Sequence, residues 1–234
     1  MFAGPNGSGK SSAKSVLRPE LLGVYVNADE IEAAARRDGT LDLATYGVAV
    51  TTDELQAALT GSSFLKSAGL ADACAAVSVA GRVLDFGGLA VNSYHASVLS
   101  DFLRRKLLEA GTAFCFETVM SHPDKVALLR EARAIGYRTY LYFVATESPA
   151  INVARVAARV KLGGHDVPPD KIVERYHRSL GLVREAIRHT DRAFLFDNSG
   201  PELQYVAEVT AGRLIEWKVD EVPVWVQVHV LDKF

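Results

Sequence analysis

The run Gly4-Pro5-Asn6-Gly7-Ser8-Gly9-Lys10-Ser11 matches G-x-x-x-x-G-K-[ST] at every fixed position. That spacing serves one chemistry, the holding of a polyphosphate. Glycine admits tight turns in which successive backbone N–H groups point at one anion. Lys10 then reaches the β- and γ-phosphates, and the Ser11 hydroxyl joins the shell of a Mg²⁺ ion. The helix opening near Lys10 aims its positive end at the same charge. The pattern predicts a nucleoside triphosphate site over Gly4–Ser11 with Ser12 beside it, and ATP and Mg²⁺ as the cofactors.

Other polar residues fall where phosphoryl transfer needs them, after apolar runs that read as strands, because ligands of open parallel sheets bind beyond the strands' carboxyl ends. Asp29 is the candidate general base, able to take the proton of an attacking hydroxyl; its alternative role is an N-cap for the helix that follows. Asn27 is an expected substrate contact. Glu117 and Thr118 follow the run Ala113–Phe116, and Glu117 suits a hydrogen bond to substrate or to a magnesium-bound water, with a structural carboxylate as the alternative. Thr146 and Glu147 follow the next strand. Asp197-Asn198-Ser199 follows the last, with Asn198 expected at the nucleotide. Arg155 and Arg159, at i and i+4, share one helix face. Gly163-Gly164-His165 comes next, then a helix bearing Arg175 and Arg178. Two arginine-bearing helices hinged at a glycine pair predict a lid over transferring phosphate, the alternative being a solvated basic face.

These side chains need a scaffold, and alternating β-rich and helical runs predict an α/β fold of the P-loop NTPase type, a parallel sheet flanked by helices. The expected strands are Met1–Ala3, Gly23–Val26, Ala113–Phe116, Arg138–Ala145 and Ala193–Phe196. The expected helices are Lys10–Leu17, Ala28–Arg37, Leu99–Ala110, Pro123–Ile135, Pro149–Lys161 and Pro169–Arg188, three of which open on a proline whose missing N–H is harmless there. Residues 40–100 read as a mostly helical elaboration. Tyr205–Thr210 and Arg213–Trp217 read as a C-terminal β-hairpin, and Val222–Val230 as an edge strand or extended tail. The expectation is a single domain over 1–234, with the lid at 150–180 and C-terminal β segments at 203–230.

The composition narrows the classes. A net charge of −2 leaves no electrostatic footprint for nucleic acid. The apolar stretch Ala68–Leu99 is broken by Asp72, Arg82 and Asp85, which argues against a membrane span. Cys74 and Cys115 lie in apolar stretches without metal-ligand spacing and read as reduced buried thiols, consistent with a cytoplasmic protein. No signal peptide is expected, because the phosphate loop occupies its place.

Taken together, Gly4–Ser11, Asn27-Ala28-Asp29-Glu30, Phe116-Glu117-Thr118, the run from Arg155 through Arg159-Val160-Lys161-Leu162-Gly163-Gly164-His165-Asp166-Val167-Pro168, and Arg175-Tyr176-His177-Arg178-Ser179-Leu180 resemble the zeta-toxin-like P-loop kinases. More narrowly they resemble a bacterial branch often labelled predicted ABC-type ATPase, although no LSGGQ-like signature and no strand ending in Asp-Glu supports that label. The resemblance runs from Gly4 to about Ser199. The better-studied zeta toxins phosphorylate a sugar hydroxyl of UDP-N-acetylglucosamine with ATP and Mg²⁺. The resemblance therefore implies Asp29 as base, Lys10 and Ser11 on phosphate and magnesium, Glu117 and Thr118 in the substrate stretch, and Arg155 or Arg159 with Arg175 or Arg178 as phosphate clamps. It also implies a small-molecule acceptor of the UDP-sugar kind and an antitoxin protein as partner. The first strand is short for this family and the segment between Asp29 and Glu117 is long. Two other readings stand beside it: a nucleotide-dependent binding protein without turnover, and a nucleotide or nucleic-acid end kinase, the latter disfavoured by the lack of an aromatic-basic patch.

Overall fold

A computed structural model describes residues 1–164 and 166–232. Its strands are β1 (Phe2–Ala3), β2 (Val24–Val26), β3 (Thr40–Asp42), β4 (Ser78–Ala80), β5 (Val83–Asp85), β6 (Phe114–Thr118), β7 (Tyr140–Ala145), β8 (Arg192–Asp197), β9 (Gln204–Thr210) and β10 (Leu214–Trp217). Its helices are α1 (Lys10–Ser15), α2 (Ala28–Asp38), α3 (Thr52–Gly61), α4 (Ser63–Ser67), α5 (Ser93–Glu109), α6 (Asp124–Ala134), α7 (Pro149–Lys161), α8 (Pro169–Arg188) and α9 (Val224–Val226). The fold is α/β, with a mostly parallel seven-stranded sheet in the hydrogen-bonded order β10-β9-β8-β7-β1-β6-β2. The chain divides into two compact units, one of Met1–Arg18 with the chain from Glu117 onward, the other of Pro19–Phe116.

In the first unit β1 pairs in parallel with the end of β6 on one side and with β7 on the other. Two residues suffice for this central strand because both faces of its backbone are engaged and the Met1 carbonyl takes a further bond from Tyr142 N–H at 2.8 Å. Phe2, Tyr142 and Phe194 occupy directly paired positions on β1, β7 and β8. Their rings stack at 5.0 and 4.7 Å, and Tyr205 on β9 continues the row at 6.3 Å from Phe194. Such cross-strand aromatic pairs fix register as well as adding contact energy. Leu141, Phe143 and Leu195 are fully buried in this unit. The antiparallel strands β9 and β10 form the hairpin expected at Ala211-Gly212.

The second unit holds β2, paired in parallel with residues 114–116 of β6. Its core is aliphatic: Ile31, Leu55, Leu65, Leu99, Leu103 and Leu107 are buried along α2 to α5. Thr51 and Glu54 close a reciprocal capping box at the start of α3, and Lys106 on α5 donates to Glu54 at 2.6 Å.

Four expectations are corrected. Residues 40–100, read as mostly helices, also hold a separate antiparallel sheet of β3, β5 and β4; three-residue strands carry too little alternation to be read as β. Helix α5 starts at Ser93, not Leu99, because Asn92 caps it through its side chain and His95 Nδ1 accepts from the Asn92 N–H. Strand β6 runs two residues further, so Glu117 and Thr118 lie on the strand and not after it. The segment Val222–Val230, expected to be extended, is the helical turn α9 followed by a π-helical turn at Gln227–Leu231. Its helical form buries Trp225, Val226 and Val230 together, which an alternating strand would not do.

Candidate functional site

The loop from Gly4 to Gly9 leaves the central strand β1 and enters α1. Gly4, Gly7 and Gly9 have φ of 144°, 76° and 95°. At Gly4 a Cβ would stand 2.0 Å from the Val144 carbonyl oxygen, and at Gly7 one would stand 2.6 Å from the Asn152 carbonyl oxygen, so both positions exclude larger residues on space as well as on conformation. Lys10 Nζ folds back and donates to the carbonyls of Gly4 at 3.0 Å and Pro5 at 3.1 Å. Ser8 N–H donates to the Pro5 carbonyl, and Ser12 and Ala13 N–H to the Gly9 carbonyl. Among the described residues the N–H groups of Gly7, Gly9 and Ser11 make no backbone hydrogen bond. Uncommitted amides around a lysine are the donor set that a polyphosphate needs.

Two asparagines from distant elements grip this loop. Asn198, just past β8, donates through Nδ2 to the Ser8 carbonyl at 2.8 Å. Asn152, in the first turn of α7, donates through Nδ2 to the Asn6 carbonyl at 2.6 Å, and its Oδ1 accepts from the Thr146 hydroxyl. Tyr176 on α8 donates to the Thr146 carbonyl at 2.6 Å. Burial first, then the charges of Glu147 and Asp197, push the Tyr176 hydroxyl up to about 12, so it remains a donor at any ordinary pH. Beside Asn198, the buried Asp197 carboxylate accepts from Trp225 Nε1 at 2.8 Å and from the Ser199 backbone and hydroxyl.

The sequence-predicted residues divide between the two units. In the first unit, Glu117 is half-buried and faces Lys14 at 3.7 Å, while the Thr118 hydroxyl accepts from Met120 N–H. Arg155 donates to the Gly200 carbonyl at 3.3 Å, and its Nη1 is buried with no partner among the described residues. Arg159 is exposed, its stem lying against Gly164. Arg175 is half-buried; Arg178 is exposed and paired with Glu174 at 2.6 Å. Helices α7 and α8 pack on each other through Val156, Val167 and Ile172. His165 lies outside the described residues. In the second unit, Asn27 is the N-cap of α2, accepting the Asp29 N–H at 3.0 Å, and its Nδ2 donates to the Tyr25 hydroxyl. The cap is therefore Asn27 and not Asp29, whose side chain stands exposed in the first helical turn. Among the described residues no group of three His, Cys, Asp or Glu is placed to hold a metal. The Ser11 hydroxyl, exposed beside Lys10, is the hard oxygen donor the loop presents, and it fits a magnesium ion sharing phosphate ligands. Sequence reasoning passed over Asn152, because an asparagine inside a helical run carries no local signal of a partner 146 residues away.

Residues 90–205, about half of the chain, match the family described as zeta toxin. The chain carries a zeta-toxin domain. The match covers α5 through β8 and the start of β9, and so includes β6, the α7–α8 pair and Asn198. The fold of this chain is also seen in two solved structures, both 15% identical. One is the crystal structure of AvrRxo1-ORF1:-ORF2 with ATP, at a TM-score of 0.51 over 93% of this chain and 60% of that one. The other is the same pair with sulphate ions, at a TM-score of 0.54 over 98% of this chain and 63% of that one. At that identity the likeness is one of fold. An uncharacterized protein of Haemophilus influenzae is 26% identical over 93 residues, which is 40% of this chain and 59% of that protein. The chain thus spans about three fifths of the length of these relatives. Among the described residues no helix is long and apolar enough to cross a membrane.

Proposed function

We propose that this chain is an ATP- and Mg²⁺-dependent phosphotransferase that moves the γ-phosphoryl group to a hydroxyl of a small molecule. The observation that carries the reading is the loop Gly4–Ser11, with Lys10 folded over its carbonyls and the amides of Gly7, Gly9 and Ser11 without a backbone partner among the described residues. The zeta-toxin match and the ATP present in one structural neighbour support it. In this reading the loop amides and Lys10 bind the β- and γ-phosphates, and the Ser11 hydroxyl holds Mg²⁺, which supplies charge neutralisation on the phosphate oxygens. Asp29 takes the acceptor's proton; Asn27, Glu117 and Thr118 contact the acceptor. Arg155 or Arg159, with Arg175 or Arg178, clamps the transferring group. Arg155 is the better supported of its pair, since its buried Nη1 has no acceptor among the described residues. The finer proposal is an amino-sugar nucleotide of the UDP class as acceptor, a cytoplasmic setting, and an antitoxin-like protein partner, prompted by the two-component neighbours.

The test is ATP consumption by the purified chain with Mg²⁺ across UDP-sugars, nucleosides and small hydroxyl metabolites, with products identified by mass. One acceptor should gain one phosphate. Lys10→Ala should abolish the transfer, and Asp29→Asn should lower turnover far more than ATP affinity. ATP binding with no phosphorylated product would leave a nucleotide-binding protein and sink the transfer reading. Turnover of Asp29→Asn within about a factor of two of wild type would remove Asp29 as the base.

A further inference from the structure

We infer that Asn152 and Asn198 are positioning residues that turn the amides of Gly7 and Gly9 into the phosphate loop. In a trans peptide the carbonyl of one residue and the N–H of the next point in opposite directions. The Asn6 carbonyl accepts from Asn152 Nδ2 at 2.6 Å, so the Gly7 N–H of the same peptide unit faces away from Asn152. The Ser8 carbonyl accepts from Asn198 Nδ2 at 2.8 Å, so the Gly9 N–H faces away from Asn198. Both amides make no backbone hydrogen bond among the described residues. With Lys10 on the Gly4 and Pro5 carbonyls, every loop carbonyl from Gly4 to Ser8 except that of Gly7 has a side-chain donor. Glycine peptides rotate readily, and among the described residues no other hydrogen bond sets the planes of units 6–7 and 8–9.

Both donors are themselves fixed. Asn152 is fully buried, with its Oδ1 held by the Thr146 hydroxyl. Thr146 in turn is held through its carbonyl by Tyr176. Asn198 is held by its own N–H on the Ala145 carbonyl at 2.8 Å, and its side chain lies where a Gly9 Cβ would be, 2.1 Å away. Thr146, Asn152 and Tyr176 thus join the end of β7, α7 and α8 to one peptide of the loop, and Asn198 joins the end of β8 to another.

The inference rests on the nucleotide-site reading above, and the experiment separates the two. Isotope-labelled wild type, Asn152→Leu and Asn198→Leu are titrated with MgATP, following the Gly7 and Gly9 amide signals by NMR and affinity by calorimetry, with melting temperature alongside. Before ATP is added, Asn152→Leu should move the Gly7 signal and leave Gly9, and Asn198→Leu should do the reverse. Each should then raise the dissociation constant for ATP by about tenfold or more. Folded variants that melt lower but keep both glycine signals and bind ATP within about twofold of wild type would overturn the inference, because that is what a merely structural contact gives. Should a leucine variant fail to fold, Asn152→Asp and Asn198→Asp, which keep the shape and lose the N–H donor, are read by the same glycine signals. Wild type that binds no ATP would overturn the nucleotide reading, while the ATP-free glycine signals would still decide whether each asparagine sets its own peptide.

Discussion

Gly4 is the residue at which the loop is least replaceable, since its φ of 144° and the Val144 carbonyl 2.0 Å from any added Cβ act together. Gly4→Ala should destabilise the protein by about 1–3 kcal/mol from backbone strain, before any clash is counted; thermal unfolding measures it. A melting temperature equal to wild type would show that the loop can swing clear of β7. The functional residues of the loop were legible because the motif is local: every member lies within eight positions, and each type has one use there. Asn198 was legible only as a polar residue after a strand. Its hydrogen bond to the Ser8 carbonyl spans 190 residues of sequence, and no pattern in either segment announces it.

At the scale of elements, α9 and the turn after it act as a brace. Trp225 donates to the buried Asp197 carboxylate, and the Val224 N–H donates to Glu147 at 3.0 Å, so this segment holds the ends of β8 and β7. Replacing Trp225 by Phe keeps an aromatic side chain, though a smaller one, and removes the donor from a charged acceptor, which should cost about 1–3 kcal/mol of unfolding free energy. Trp217→Phe, on the partly exposed β10, should stay within about 0.5 kcal/mol of wild type. Equal effects would deny the brace. A second element, α3, carries a pH dependence. Its Glu54 carboxyl is drawn down from the ordinary 4.5 to about 2, first by the Lys106 ammonium and then by the Thr51 backbone and hydroxyl. A lowered folded-state value gives stability that is present above the ordinary carboxylate range and is lost as pH falls toward about 2. Melting temperature should therefore fall between pH 5 and 2.5 with a smaller slope in Glu54→Gln than in wild type, and identical slopes would exclude Glu54. Helices α7 and α8 match their expected bounds because proline starts and long apolar periodicity are strong local signals. Strands β3 to β5 were missed because three residues carry no period.

For the whole molecule the consequence of ligand binding is thermodynamic. A ligand that binds only the folded chain stabilises it by about 2.7 kcal/mol at a hundred times its dissociation constant. For a protein of this size that raises the melting temperature by roughly 5–10 °C. MgATP should produce such a shift in wild type and Lys10→Ala should not show it. An equal shift in both would place the nucleotide somewhere other than the loop. Candidate residues occur in both compact units, with Lys10 and the arginines in one and Asn27 and Asp29 in the other, so the transfer assay is read on the full chain.

The phosphate loop, the helices with proline starts and the β-hairpin follow from residues a few positions apart, whose steric and hydrogen-bonding preferences act before any tertiary contact forms. The tertiary structure alone decided what grips the loop. Asn152, Tyr176 and Trp225 carry no signal in their own neighbourhoods and Thr146 shows only as a polar residue after a strand; their roles arise because burial obliges each polar group to find a partner, wherever along the chain that partner lies.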